Sequence, residues 1–159
     1  AYVDTKFAST SNRILKDWYT DANNVTTGET DLYNYTVPAN TLVNNGDKLH
    51  FRISGIYASS ADIKTITVYF GSSNVALSPA PLSVASEWII EGTIIRNTST
   101  TYRMDINNNI GTTSVAESNI IGSVTNYTGT NIFKIAGTGG ASADIAAQMG
   151  YLEFKPAAL

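Results

Sequence analysis

"YTVPANTLVNNGDKLHFRISG", residues 35–55, is the stretch on which the reading of the fold turns. A β-like run ends at Val37 and is closed by Pro38, which cannot donate to a ladder and biases the residue before it toward extended backbone. The polar run that follows contains Asn44, Asn45, Gly46 and Asp47. These residues either tolerate positive φ or make local side-chain hydrogen bonds, so they turn the chain through geometry as well as polarity. A second run begins near Lys48. Leu49, Phe51, Ile53 and Tyr57 share one face of it, and His50, Arg52 and Ser54 share the other, which is the two-residue alternation of a half-buried strand. Gly55 within it marks a bulge or a close backbone approach.

Working outward, the same period recurs. "IKTITVYFG" sets Ile66, Val68 and Phe70 against Thr65, Thr67 and Tyr69, and Gly71 ends it. "EWIIEGTIIR" places Trp88, Ile90 and Ile94 on one face, and Ile89 and Ile95 on the opposite one. A strand apolar on both faces needs cover on both, by a second sheet on one side and by another element or subunit on the other. Ile89 and Ile95 are the candidate oligomer contacts, with Tyr69 as a further residue that self-association would bury. "TYRMDIN" turns Tyr102, Met104 and Ile106 inward after a connection of hairpin length, "NTST". Further strands are expected at residues 32–37, 120–127, 131–136 and 146–155. No window sustains a helical apolar period, and residues 1–30, with a brief helical possibility around Ile14, Leu15 and Trp18, read as a connecting arm. The expectation is an all-β, jelly-roll-like β-sandwich of about eight antiparallel strands over residues 31–159.

Composition narrows the chemistry. The chain has 159 residues, one ordinary domain, with 43% hydrophobic but only 14% charged residues. Twenty Thr, 15 Ser and 15 Asn supply hydroxyls and amides in place of charge, so the surface is wetted without long-range fields. A net charge of −3 and a pI near 5.0 argue against a phosphate backbone as partner. Apolar runs are far too short to span a bilayer, so no membrane insertion is expected. The absence of cysteine removes disulfides and thiolate metal sites.

Catalytic residues are not apparent. His50 is the single histidine, faces away from the expected core, and reads as an ordinary outward or interface residue. Glu87 with Glu91, and Asp105 with Glu117, are acids that could converge on a glycosidic bond, but spacing in sequence does not show a catalytic pair and solvated turn acids are the preferred reading. "DINNNIGTTSVAE" spaces Asp105, Asn107 and Asn109 like calcium ligands. Gly111 then comes one place late and Ala116 stands where a bidentate Glu belongs, so an Asn-rich turn is the reading and no metal or cofactor is assigned. "GTGGAS" lacks the third glycine of a dinucleotide loop, with Ser142 in its place. What remains as a ligand surface is polar loops with aromatics: Asn107, Asn109 and Tyr127 are the candidate contacts, with Trp18 and Tyr19 in the arm as further flat surfaces.

"TTGETDLYNYTVPANTLVNNGDKLHFRISG", followed by "KTITVYFG" and "WIIEGTIIRNTSTT", resembles a recurring segment of bacteriophage tail-fibre and tailspike distal domains, across residues 26–101. The resemblance implies a β-sandwich, usually a homotrimer, at the tip of a longer fibre or spike, in an extracellular virion setting. Its partners would be its own copies, the remainder of the fibre, and a bacterial surface glycan or protein receptor. It implies no contact residues. The resulting expectation is a non-catalytic attachment domain; the alternatives are a carbohydrate-binding or hydrolytic module of a depolymerase spike, and a purely structural virion protein.

Overall fold

A computed structural model describes residues 11–77, 84–111 and 113–158, without the side chains of residues 113 and 115–119. No described residue is helical. Eleven antiparallel strands run in chain order as β1 (Arg13–Trp18), β2 (Ala22–Asn23), β3 (Thr30–Val37), β4 (Lys48–Tyr57), β5 (Thr65–Phe70), β6 (Ser73–Leu77), β7 (Ser86–Arg96), β8 (Thr101–Ile110), β9 (Thr113–Ser123), β10 (Asn131–Thr138) and β11 (Ile145–Lys155). They form two sheets, β1-β11-β4-β7-β8-β9 and β3-β10-β5-β6, with β2 pairing β11 beyond the end of β1.

The pairings β1–β11, β3–β10, β4–β7 and β5–β6 are those of one long antiparallel hairpin wrapped around a core, first strand with last and so inward. That nesting is a jelly roll of eight strands. The β8–β9 hairpin is added to it and widens the larger sheet past β7. The two sheets face each other across Phe51, Ile53, Ile66, Val68, Phe70, Ile90, Ile94, Phe133, Ile135 and Leu152, all fully buried. Burying each such side chain stabilises the fold by about 1.5–3 kcal/mol relative to leaving it exposed. Phe51 from one sheet meets Phe133 from the other at 4.9 Å between ring centroids.

Three local findings correct or complete the sequence reading. Arg13–Trp18 is an edge strand on β11 and not a helical turn; a register shift between Ile14 and Lys16 breaks its alternation and hides the period. Trp18 stacks on Tyr33 at 5.2 Å and closes that end of the core, so the second half of the segment read as an arm is part of the sheet. Asn107 and Asn109 lie inside β8, paired with β7 and β9, and not in a loop. Extended pairing also excludes an EF-hand coil there, because such a loop must curl around its ion. At Gly55 the close approach is real: a Cβ would stand 1.8 Å from the Ala146 carbonyl oxygen and 2.6 Å from the Trp88 ring. The bulge lies opposite, on β11, where Gln148 is the extra residue between Ala147 and Met149.

The turn in the opening stretch is held by Asp47, 2% exposed. Its carboxylate accepts the backbone N–H of Val43, Asn44 and Ala157 at 2.8, 2.8 and 2.9 Å. Gly46, at φ +92°, supplies the left-handed step that lets its own N–H reach the Arg96 carbonyl. One carboxylate therefore fixes the turn and ties down the C-terminal segment together.

Candidate functional site

The outer face of the smaller sheet carries a groove of about 400 Å³, lined by Asp31, Asn34, Tyr35, Tyr69, Ile132 and Lys134 among others. Strand alternation aims Asn34, Tyr69, Ile132 and Lys134 outward, and register brings them together. Tyr35, opposite the buried Phe133, is on the inner face and packs against the core. Asn34 on β3 is opposite Lys134 on β10, which is opposite Tyr69 on β5. One extra residue in β3, Leu32, lies at a register shift between Tyr33 and Asp31, so Leu32 and Tyr33 are both buried while Asp31 turns out beside Lys134.

Charge organises this face. Lys134 Nζ lies 2.9 Å from Asp31 Oδ1 and 3.8 Å from Glu29 Oε1, and 4.3 Å from the centre of the Tyr69 ring. The Tyr69 hydroxyl donates to the Glu29 carboxylate, at 2.6 Å to Oε2 and 2.8 Å to Oε1. That hydrogen bond, reinforced by desolvation and by the negative charges of Glu29 and Asp31, pushes the Tyr69 phenol up to about 12. Ile132, 56% exposed, contributes an apolar floor next to these polar groups. The result is a concave surface with aromatic and aliphatic patches and a few polar groups of fixed orientation, the general make-up of a small-ligand site.

The residues singled out from sequence are distributed differently. Tyr69 lines this groove. Asn107 is exposed on the outer face of the larger sheet, where its Oδ1 accepts from Ser114 Oγ at 2.6 Å; Asn109 is half-buried on the same face. Tyr127 is withdrawn from any ligand surface: it is 5% exposed, its hydroxyl donates to the Thr101 carbonyl at 3.0 Å, and the Arg96 guanidinium covers its ring at 4.7 Å. An aromatic in a polar loop was the signal, but Arg96, which also donates to the Leu42 and Val43 carbonyls, makes Tyr127 a strut between loops.

Ile89 and Ile95 do face outward and are half-buried by their own sheet. They are not one apolar strip. Ile95 lies between Lys48 and Arg103, Ile89 between Ser54 and Asn109, with Glu91 and Thr93 separating them along the strand. The apolar surface near Ile89 belongs to Ile56 and Met149, both exposed, and a second groove of about 340 Å³ opens there, lined by Tyr19, Arg52, Met149 and Tyr151 among others.

A polar row crosses the same face, Tyr151–Arg52–Glu91–Asn107, one residue from each of four neighbouring strands. Glu91 is committed within it, 3.2 Å from Arg52 Nη1 and 3.1 Å from His50 Nε2. His50 is thus a surface residue held between Glu91 and Glu153, the latter 3.9 Å from its Nδ1. Asn-x-Ser/Thr sequons begin at Asn24, Asn34, Asn97 and Asn126, and the one at Asn24 is closed in the folded chain. The Asn24 amide is buried and donates to the Thr26 and Ala141 carbonyls while accepting the Ile145 N–H.

Glu29, Asp31, Asn34, Ile132 and Lys134 were missed as site residues. Alternation in "DLYNYT" and "IFKI" marks Asn34 and Lys134 as outward, but nothing in either run tells which strands are neighbours.

No protein-family model matches the chain, and no curated protein matches it. Among solved structures it is similar to a protein of unknown function from Shewanella oneidensis MR-1, with 12% identity, a TM-score of 0.46, and 95% of this chain and 90% of that one covered. A likeness that distant assigns no activity.

Proposed function

We propose that this domain binds a bacterial surface glycan without cleaving it, as the distal, trimeric module of a phage tail fibre or tailspike. The observation that carries the reading is the groove on the smaller sheet. A pyranose ring offers an apolar C–H face and a rim of hydroxyls; Tyr69 and Ile132 supply apolar surface, while Asp31, Asn34 and Lys134 supply acceptors and donors, Asp31 and Lys134 holding each other at 2.9 Å. The low charge and the hydroxyl-rich and amide-rich surface suit a hydrogen-bonding ligand.

Three linked copies would raise avidity by about 10² to 10⁴ over one weak contact, so a shallow groove suffices. The second groove, lined by Trp18, Tyr19 and Met149 among others, is the surface that contact between copies would cover. Light scattering should then give three times the 17.0 kDa chain mass.

The deciding experiment is calorimetric titration with purified capsular and lipopolysaccharide fragments, alongside an assay for released reducing ends. Binding without release is expected, with affinity about ten-fold weaker in Lys134→Ala, the loss of one charge-assisted hydrogen bond. Release of reducing ends, or unchanged affinity in Lys134→Ala, contradicts the reading.

A further inference from the structure

Among the described residues, the inner layer of the larger sheet carries a cluster of polar atoms at the end where β4 stops and β7 starts. There Tyr57, Trp88 and Asn108 turn inward and are 0% exposed. Four of their polar atoms, Tyr57 Oη, Trp88 Nε1, and both Oδ1 and Nδ2 of Asn108, meet no hydrogen-bond partner in the protein.

The three side chains are neighbours. Trp88 is opposite Gly55 on β4, two places from Tyr57, and opposite Ile110 on β8, two places from Asn108. Two places along a strand is the same face. The rings of Tyr57 and Trp88 lie 5.9 Å apart at 41°. Burial pushes the Tyr57 phenol up; Asn108 opposes this, so it stands close to the hydroxyl without reaching hydrogen-bond geometry.

Unpaired polar atoms in a low-dielectric interior are costly, and four in one place would offset a large part of a small domain's net stability. Their chemistry specifies what would satisfy them. The indole N–H only donates, the amide donates through nitrogen and accepts through oxygen, and the phenol does both. No group in the set carries charge, so neither a cation nor an anion is matched. A water molecule accepts and donates alike, and in protein interiors makes about three hydrogen bonds.

We propose that Tyr57, Trp88 and Asn108 enclose a permanent internal water site, which bridges β4, β7 and β8 at one end of the sandwich. The site also has a use in specifying the fold. "INNNI" places three Asn between Ile106 and Ile110, so the middle of β8 has no alternation of its own. A one-residue slip would exchange the faces of the whole strand. Water held by Asn108 rewards the register in which Asn108 is inside and Asn107 and Asn109 are outside.

The test uses the full chain. In ¹⁵N-labelled protein, the Trp88 indole proton should show a direct cross-relaxation peak to water despite full burial, with Trp18→Phe assigning which indole is which. A high-resolution crystal structure should place an ordered water about 3 Å from Trp88 Nε1. Magnetic relaxation dispersion should count fewer long-lived waters in the Tyr57→Phe/Asn108→Leu double variant than in the parent. A structure in which Asn108 bonds directly to Tyr57 or Trp88, with no water between them and no cross-peak, overturns the proposal. If the double variant does not fold, the wild-type peak and density decide alone.

Discussion

The turn at Asp47 and the groove at Lys134 use the same kinds of groups for opposite ends. At the turn, a carboxylate is buried and every contact it makes is to the backbone of its own chain. In the groove, carboxylates, an ammonium and a phenol hold one another while staying partly exposed: the side chains of Glu29, Lys134 and Asp31 are 37%, 22% and 48% accessible. The first arrangement stabilises and leaves nothing to offer a ligand. The second costs little to perturb and keeps polar atoms oriented toward solvent. In a chain with so few charges, this contrast separates a charge spent on the backbone from charges left partly open to solvent.

The comparison breaks most visibly at Asp47. Asp47→Ala removes three hydrogen bonds to a buried charged group and should cost about 2–4 kcal/mol, read from the urea midpoint; a loss below about 0.5 kcal/mol would mean that the turn does not depend on it. Lys64 offers a second buried case. It is 1% exposed, and its ammonium donates to the carbonyl oxygens of Ser60 and Asp62 and to Ser60 Oγ at 2.7 Å, a chain that continues from Ser60 Oγ to Asp144. Lys64→Met should cost about 1–3 kcal/mol. In the groove, Tyr69→Phe should change stability by no more than about 1 kcal/mol while weakening glycan binding, so that the two readouts separate.

Titration sharpens the same contrast, because Tyr69 and Tyr127 are both pushed up to about 12 for different reasons. In Tyr127 burial is the main cause, with Arg96 opposing it; in Tyr69 it is the hydrogen bond to Glu29. A raised phenol favours the protonated folded state, so its contribution to stability is whole below the unfolded value near 10 and is lost as pH climbs through about 12. Ultraviolet difference titration of Glu29→Gln should return one tyrosine toward its ordinary value and leave Tyr127 in place. No change in that variant would place the cause elsewhere.

How much of this was legible follows from where the period of two survives. It survives in β4, β5, β7 and the first half of β8, and there Leu49, Phe51, Ile53, Ile66, Phe70, Trp88, Ile94 and Met104 are buried as alternation requires. It fails in β1, where a register shift interrupts "RILKDW", and at Asn107, Asn108 and Asn109, whose turn-like composition masks a strand that the flanking isoleucines continue. The groove was illegible for another reason. Its residues come from β3, β5 and β10, and the nesting that makes these strands neighbours is a property of the whole roll. Tyr127 misled because exposure was inferred from the polarity of its neighbours in sequence, whereas Arg96 covers it from a different strand.

The most direct measurement is amide chemical-shift mapping of the labelled protein during titration with oligosaccharides from a bacterial surface polysaccharide that it binds. The account predicts perturbations concentrated at Asp31, Asn34, Tyr69, Ile132 and Lys134 on the smaller sheet. Perturbations confined to the larger sheet around Arg52, Asn107 and Tyr151 would contradict it.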